Sequence, residues 1–340
     1  DDMDDDDDDD EKKHDDDHSG PDWSSSALVR ALTTAASTSA SVEPKPLNQP
    51  TAMIREWDRH REGATTYERV AFEWRAEDES ILRGACDDVR AQYDEVAIEW
   101  DRARHMKRVA VFASLREHAL VDVLRNQKRA KSNSLYEVPV VISNHDDLRG
   151  VAENYGARFE RVDHRRGQCN TKESELRELE ILREARVDVV VLARFMQVLS
   201  EAFCDEYRGR IINVHHSLLP AFPGGHAYRR ARDKGVKLIG ATAHYVTKDL
   251  DAGPIIAQAA APASHADSVK DLAAKGHDLE CRVLRDALEA HLDHRVFVHD
   301  NTRTIVFPKS SQHHRGGGGS ALECSDHGER NLNFNNEGGQ

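Results

Sequence analysis

From residue 107 to residue 307 this 340-residue chain alternates short apolar runs with amphipathic stretches, and that alternation leaves few folds open to it. Residues 108–113, 138–143 and 187–192 read as strands. The last of these, Val187-Asp-Val-Val-Val-Leu192, is apolar enough to be buried on both faces. Residues 117–129, 146–155 and 172–185 have helical spacing, with a short strand at 159–162. Gly224-Gly225 leads into a helix ending near Lys234, 236–246 reads as a long strand, and 255–261 pairs back on it as a hairpin. A long helix over 266–294 carries Val269, Leu272, Leu279, Val283, Leu284, Leu288 and Leu292 at helical spacing, and weak strands at 295–298 and 304–307 follow it. Strands alternating with helices predict an α/β fold with a doubly wound, mostly parallel sheet. Ligands of such sheets sit beyond the carboxyl ends of the strands.

Four segments follow from this pattern: a leader over 1–50, a small module over 51–104, the α/β domain over 105–307, and a tail over 308–340. The net charge of −14 is concentrated in the leader, where residues 1–17 hold twelve Asp and one Glu against two Lys. The remaining residues are therefore close to neutral, and a strongly anionic surface is not a property of the fold. Leader and tail are too polar or too rich in Gly, Ser and Asn to offset the entropy of ordering, so both are expected to be disordered. The motif His14-Asp-Asp-Asp-His18 reads as solvated charge rather than a metal site. In the small module, 67–74 alternates like a half-buried strand, 77–93 is helical, and 95–100 returns to strand character. A unit this small is expected to pack on something, a second copy included, so a homo-oligomer is anticipated.

No basic patch with interleaved aromatics suggests a nucleic-acid partner. No apolar run approaches the roughly 18 residues of a membrane span. Cys86, Cys169, Cys204, Cys281 and Cys324 are dispersed with no Cys-x-x-Cys pair, which argues for a reducing, cytoplasmic setting and against a structural zinc. A chain that begins with Asp is expected to be a fragment or a processed product.

The stretch Ile211-Ile-Asn-Val-His-His-Ser-Leu-Leu-Pro-Ala-Phe222 opens as a buried strand and is broken at Pro220. Residues two apart on a strand point the same way, so Asn213 and His215 project together from its carboxyl end. An amide donor beside an imidazole is a pair that acyl chemistry uses, one for a developing oxyanion and one for a proton. On spacing alone, a turn-forming Asn followed by a half-buried His accounts for the same residues. Asp251, in Leu250-Asp-Ala-Gly-Pro254, lies across a predicted strand that returns it to the same end of the sheet. A carboxylate there would orient the imidazole; the plainer reading of Asp251 is an Asx turn before Gly-Pro.

Taken together, three segments carry a resemblance. Val190-Val-Leu-Ala-Arg-Phe-Met-Gln-Val-Leu-Ser200, Arg210–Phe222, and Gly240-Ala-Thr-Ala-His-Tyr-Val246 with Leu250-Asp-Ala-Gly-Pro-Ile-Ile256 resemble the folate-dependent formyltransferase family. The resemblance runs from about residue 107 to residue 307 and implies a formyltransferase-like, Rossmann-type domain. It implies that Asn213, His215 and Asp251 are catalytic, that Arg194, Phe195, Met196, Gln197, Val198 and Leu199 form the wall receiving a pterin ring, and that His216 and His244 stand behind them. No metal and no cofactor are implied, the partner being a small-molecule folate. His216 occupies a position where the transferases of the family usually have Pro, which points to the branch that hydrolyses 10-formyltetrahydrofolate to formate and tetrahydrofolate, supplying formate for purine synthesis. Two alternatives stand beside this: formyl transfer to an amine such as glycinamide ribonucleotide, and folate binding without turnover.

The loop after the first strand of the domain separates these. Relatives that formylate a phosphorylated acceptor carry a Gly-rich phosphate loop there. Here it reads Ser114-Leu-Arg-Glu-His118, with no glycine and a carboxylate, which favours water as acceptor. Ala119 stands where the hydrolytic branch usually has Cys, and Gly224-Gly-His-Ala-Tyr228 replaces a basic residue and Pro before the Tyr, implying altered substrate affinity. The small module resembles the later part of an ACT-like α+β module whose opening strand and helix are missing.

Overall fold

The computed structural model describes residues 26–28, 31, 52–74, 79–93, 96–102, 106–129, 136–163, 172–222, 224–309 and 328–336. Strands β1 (Ala52–Glu62) and β2 (Thr65–Trp74) form an antiparallel hairpin that turns at Gly63, where φ is +60°. Helix α1 (Glu79–Gln92) follows, burying Leu82, Ala85, Cys86 and Val89 as its spacing requires, and then β3 (Val96–Arg102).

The α/β domain starts with β4 (Lys107–Ala113), α2 (His118–Arg129), β5 (Tyr136–Glu137) and β6 (Val140–Ser143). The single strand expected over 138–143 is split because Pro139 has no N–H for the ladder. Helix α3 (Arg149–Asn154), β7 (Arg158–Arg161), α4 (Lys172–Glu184), β8 (Val189–Ala193), α5 (Glu201–Glu206) and β9 (Ile211–His215) come next. Helix α6 (Ala227–Asp233), β10 (Leu238–Tyr245), β11 (Ile255–Pro262) and α7 (Val269–Leu292) complete the body, and β12 (Val296–His299) pairs with β13 (Arg303–Val306).

The large sheet has the order β11-β10-β9-β8-β4-β6-β7. Strands β7, β6, β4, β8 and β9 run parallel, and β10 and β11 continue the sheet antiparallel. Every residue of β6 and β8 is buried, the expected state of a central parallel strand covered by helices on both faces. One layer packs Val109, Val111, Val191 and Val214 against Leu120, Leu124, Leu284 and Leu288. The other packs Phe112, Ile142, Val190 and Leu192 against Ile181, Leu182 and Phe203. This is the doubly wound, mostly parallel α/β sheet that the alternation predicts.

Three differences from the sequence reading concern the smaller sheet. Its order is β1-β2-β14-β3, where β14 (Gly328–Asn336) belongs to the stretch expected to be a disordered tail. Strand β14 runs antiparallel to both β2 and β3. The alternation in Asn331-Leu-Asn-Phe-Asn335 has strand period, which the neighbouring Gly-rich composition obscures. Strand β1 was not anticipated either: Arg55, Glu56, Asp58, Arg59 and Arg61 give it the charge of an edge strand rather than an apolar pattern. Finally, the leader contributes to a core. Leu28 is fully buried against Val70, Phe72, Leu82 and Val89, and the Ser26 hydroxyl donates to Glu68 at 2.7 Å. The motif at 14–18 lies outside the described residues.

The smaller sheet meets the β12-β13 pair where Tyr67 of β2 packs edge-on against Phe297, donates or accepts at His299 Nδ1 over 2.6 Å, and shares a cluster with Phe307. Within the domain, Phe112 makes edge-to-face contacts with Phe195 at 5.2 Å and Phe203 at 6.1 Å, joining the sheet centre to the segment after β8. Phe112→Ala leaves a void there and is expected to lower unfolding free energy by about 3–5 kcal/mol, measured by urea denaturation.

Candidate active site

The carboxyl end of β9 carries Asn213 and His215, two residues apart on one side of the strand. Antiparallel pairing sets His244 of β10 directly opposite Asn213 and Thr242 opposite His215. The Asn213 amide nitrogen is 3.1 Å from His244 Nε2, and His244 Nδ1 is 2.9 Å from the Tyr245 carbonyl. A carbonyl accepts only, so Nδ1 carries the proton and donates to it. That leaves Nε2 as acceptor and fixes the Asn213 amide with its nitrogen towards His244. Burial holds the His244 ring below the ordinary imidazole range, against the Tyr245 carbonyl and Asp251, which favour the charged form. A neutral His244 agrees with this hydrogen-bond direction.

Strand β10 ends level with Ile212 of β9, not at its carboxyl end as expected, and the turn that follows folds back to the site. There Asp251 sits in the left-handed region at φ +55°, a conformation Asp tolerates better than most residues. Its Oδ1 lies 3.3 Å from His215 Nδ1, and its Oδ2 accepts the Gly224 N–H at 3.1 Å. Burial raises the Asp251 carboxyl, but the His215 hydrogen bond, the Gly224 N–H and the nearby imidazoles outweigh it and hold the group below the usual carboxylate range. The turn is tight: a Cβ on Gly253 would stand 1.8 Å from the Tyr245 carbonyl oxygen, so no other residue fits there.

His215 Nε2 is 3.2 Å from the Phe222 carbonyl. Both ring nitrogens thus face acceptors; the charged ring donates to both, the neutral ring to one. The loop that presents Phe222 is held by side chains. Ser217 Oγ donates to the Ala221 carbonyl at 2.7 Å, and Thr242 Oγ1 donates to the Ser217 carbonyl at 2.7 Å while accepting from the Leu219 N–H at 3.0 Å.

These groups open on a cavity of about 220 Å³. All of Arg194, Phe195, Met196, Gln197, Val198 and Leu199 line it, together with Val246–Leu250. Phe195 and Leu199 are buried, whereas Met196 and Val198 remain exposed at the mouth, an apolar rim suited to a flat ring. Among the described residues no group of three or more His, Cys, Asp or Glu is arranged to hold a metal ion, and no helix is long and apolar enough to cross a membrane.

The sequence pattern of formyl transferases matches residues 107–288. The chain belongs to the formyl transferase family. A formyltetrahydrofolate deformylase of Synechocystis is 44% identical over 206 residues, covering 59% of this chain and 69% of that protein. The crystal structure of a formyltetrahydrofolate deformylase from Pseudomonas syringae superposes with a TM-score of 0.70 at 32% identity, over 83% of this chain and 90% of that one. A glycinamide ribonucleotide transformylase from Symbiobacterium toebii gives a TM-score of 0.55 at 32% identity, covering 60% of this chain and 95% of that one. The transformylase likeness therefore spans less of the chain than the deformylase likeness does.

The structure describes every residue of the expected catalytic set, ring wall and supporting pair. Asn213, His215, Asp251 and His244 converge, and residues 194–199 form one wall. His216 packs behind His215, ring centroids 4.9 Å apart, and against Tyr228 at 5.7 Å. The Phe222 carbonyl and the Gly224 N–H escaped the sequence reading, since backbone groups leave no residue-type signal; the Gly224-Gly225 pair marked only the approach to a helix and a departure from the family pattern. Glu280, fully buried beside Arg194, also escaped it, since a lone carboxylate on a long helix gives no sign of what it faces.

Burial, then the charges of Arg194 and His215, push His216 down to about 4. A histidine so depressed is neutral when folded and takes up protons on unfolding. Its contribution to stability is present above pH 6.5 and is lost as pH falls through the window down to about 4. The loss amounts to on the order of 3 kcal/mol. His216→Gln is expected to flatten this part of the pH profile of the urea midpoint.

Proposed function

We propose that this chain hydrolyses 10-formyltetrahydrofolate to formate and tetrahydrofolate, with Asn213, His215 and Asp251 as its catalytic residues. The observation that carries the reading is their convergence on the cavity walled by residues 194–199. Water adds through its oxygen to the formyl carbon, the carbon–N10 bond breaks, and N10 leaves with a proton. Asn213 spends one amide hydrogen on His244 and has the other for the oxygen that becomes negative. His215 moves the proton from water towards N10, and the Asp251 carboxylate holds the ring and balances its charge. The apolar wall receives the pterin ring. This route needs no metal or organic cofactor. The loop from Ser114 to Glu117, which has no glycine, supports water over a phosphorylated amine as acceptor. The dispersed cysteines support a cytoplasmic setting, and the small sheet supports assembly as a homo-oligomer.

Purified protein is expected to release formate from 10-formyltetrahydrofolate with no amine present. His215→Ala lowers the rate by about 10²–10⁴-fold and Asn213→Ala by about 10²–10³-fold. Equal formate release by wild type and His215→Ala would end this reading.

A further inference from the structure

Outside the Asn213, His215 and Asp251 group stands a second enclosed carboxylate. The Glu280 side chain on α7 has no solvent exposure. Its Oε1 accepts from the Tyr228 hydroxyl at 2.6 Å and its Oε2 from His118 Nε2 at 2.8 Å, while Arg194 Nε lies 3.6 Å away. Burial raises this carboxyl, but His118, Arg194 and Tyr228 together outweigh burial and keep it low, so both oxygens act as acceptors. The four side chains come from four places in the sequence: the start of α2, the end of β8, α6 and α7. A buried charge is tolerable only when paired and hydrogen-bonded in this way.

Gly276, one helical turn before Glu280, makes the arrangement sterically possible. A Cβ there would stand 1.9 Å from the Tyr228 hydroxyl oxygen. Glycine weakens a helix interior, yet residue 276 is glycine within a 24-residue helix, and Tyr228 crosses the helix at that point.

The cluster has a definite position relative to the reaction. Arg194 and His216 line the cavity, and the Tyr228 ring lies 5.7 Å behind His216. At the other end, His118 follows the Ser114–Glu117 loop directly, and its ring stacks on His277 at 4.0 Å. Contacts therefore run without a break from the β4 exit loop through His118, Glu280, Tyr228 and His216 to His215.

We infer that this His118–Glu280–Tyr228 cluster determines acceptor specificity: it fills the side of His215 facing the β4 exit loop, so that water reaches the formyl carbon and a primary amine does not. The inference rests on the hydrolase reading above. In the native reaction a water oxygen bonds to the formyl carbon, the carbon–N10 bond breaks, and a proton reaches N10. With the cluster opened, an amine nitrogen bonds to the same carbon and its proton replaces that of water. The products are then an N-formyl amine and tetrahydrofolate. The uncovered Glu280 carboxylate would attract the amine.

The test gives the full chain 10-formyltetrahydrofolate together with glycinamide and separates formate from N-formylglycinamide. Tyr228→Ala removes both the ring and a donor to Glu280; His118→Ala opens the partly exposed end of the cluster; Tyr228→Phe keeps the ring. Wild type and Tyr228→Phe are expected to yield formate alone. Tyr228→Ala, His118→Ala and the double variant are expected to raise the ratio of N-formylglycinamide to formate by on the order of 10–10²-fold, increasing with glycinamide. Circular dichroism and thermal melts report whether each variant folds; where Tyr228→Ala does not, His118→Ala carries the same expectation. Folded variants that release formate but never form N-formylglycinamide overturn the inference, as does a wild type that formylates glycinamide equally well. A wild type that releases no formate overturns the hydrolase reading instead, and this inference with it.

Discussion

Everything in the active site depends on the antiparallel register between β9 and β10. A parallel neighbour would need a crossover to the amino end of the sheet before the strand could begin. Antiparallel pairing starts β10 beside the carboxyl end of β9 and runs it towards the amino end, so His244 falls opposite Asn213, and the turn after β10 folds back to set Asp251 on His215. The rest of the parallel sheet supports this switch in direction. Buried β-branched residues in β4 and β8 set a rigid plane, and β9 joins it with alternate residues buried for packing and presented to the site.

The polar groups at this junction would each be costly if left without partners, and their partners determine their roles. His244 is neutral because burial outweighs its acidic neighbour, and its two nitrogens then have one assignment each. Asp251 remains charged for the opposite reason: the Gly224 N–H and His215 outweigh burial. Two side chains less than a strand's width apart are thus driven to opposite charge states by the balance between desolvation and hydrogen bonding.

Much of this was legible in the residues. The alternation of apolar runs and amphipathic stretches pointed to the parallel sheet, and strand periodicity placed Asn213 and His215 together; Asp251 joins them through the turn after β10, because β10 itself ends level with Ile212 and not at the carboxyl end of β9. Other features were hidden for physical reasons. Strand β1 lies at a sheet edge, where charge replaces the apolar alternation, and β14 pairs across a long stretch of sequence from a composition that mimics disorder. Leu28 is one buried residue in a polar leader, too little for a pattern. Backbone partners such as the Phe222 carbonyl have no residue signature. Gly276 is the instructive case: a glycine inside a long helical repeat marks a close approach, but nothing local says that the visitor is Tyr228.

The Asn213–His244–Tyr245 chain has a further consequence. Side-chain amides are ambiguous in direction, since oxygen and nitrogen have nearly the same shape, but this one is read in a single sense because the chain ends on a carbonyl. The pocket therefore encodes polarity through a relay that starts at a main-chain atom. An aspartate at position 213 would match the shape yet reverse the sign, turning a lone pair towards His244 Nε2 and presenting negative charge where the proposed reaction develops its own. The difference between an attractive and a repulsive pocket is one nitrogen exchanged for oxygen.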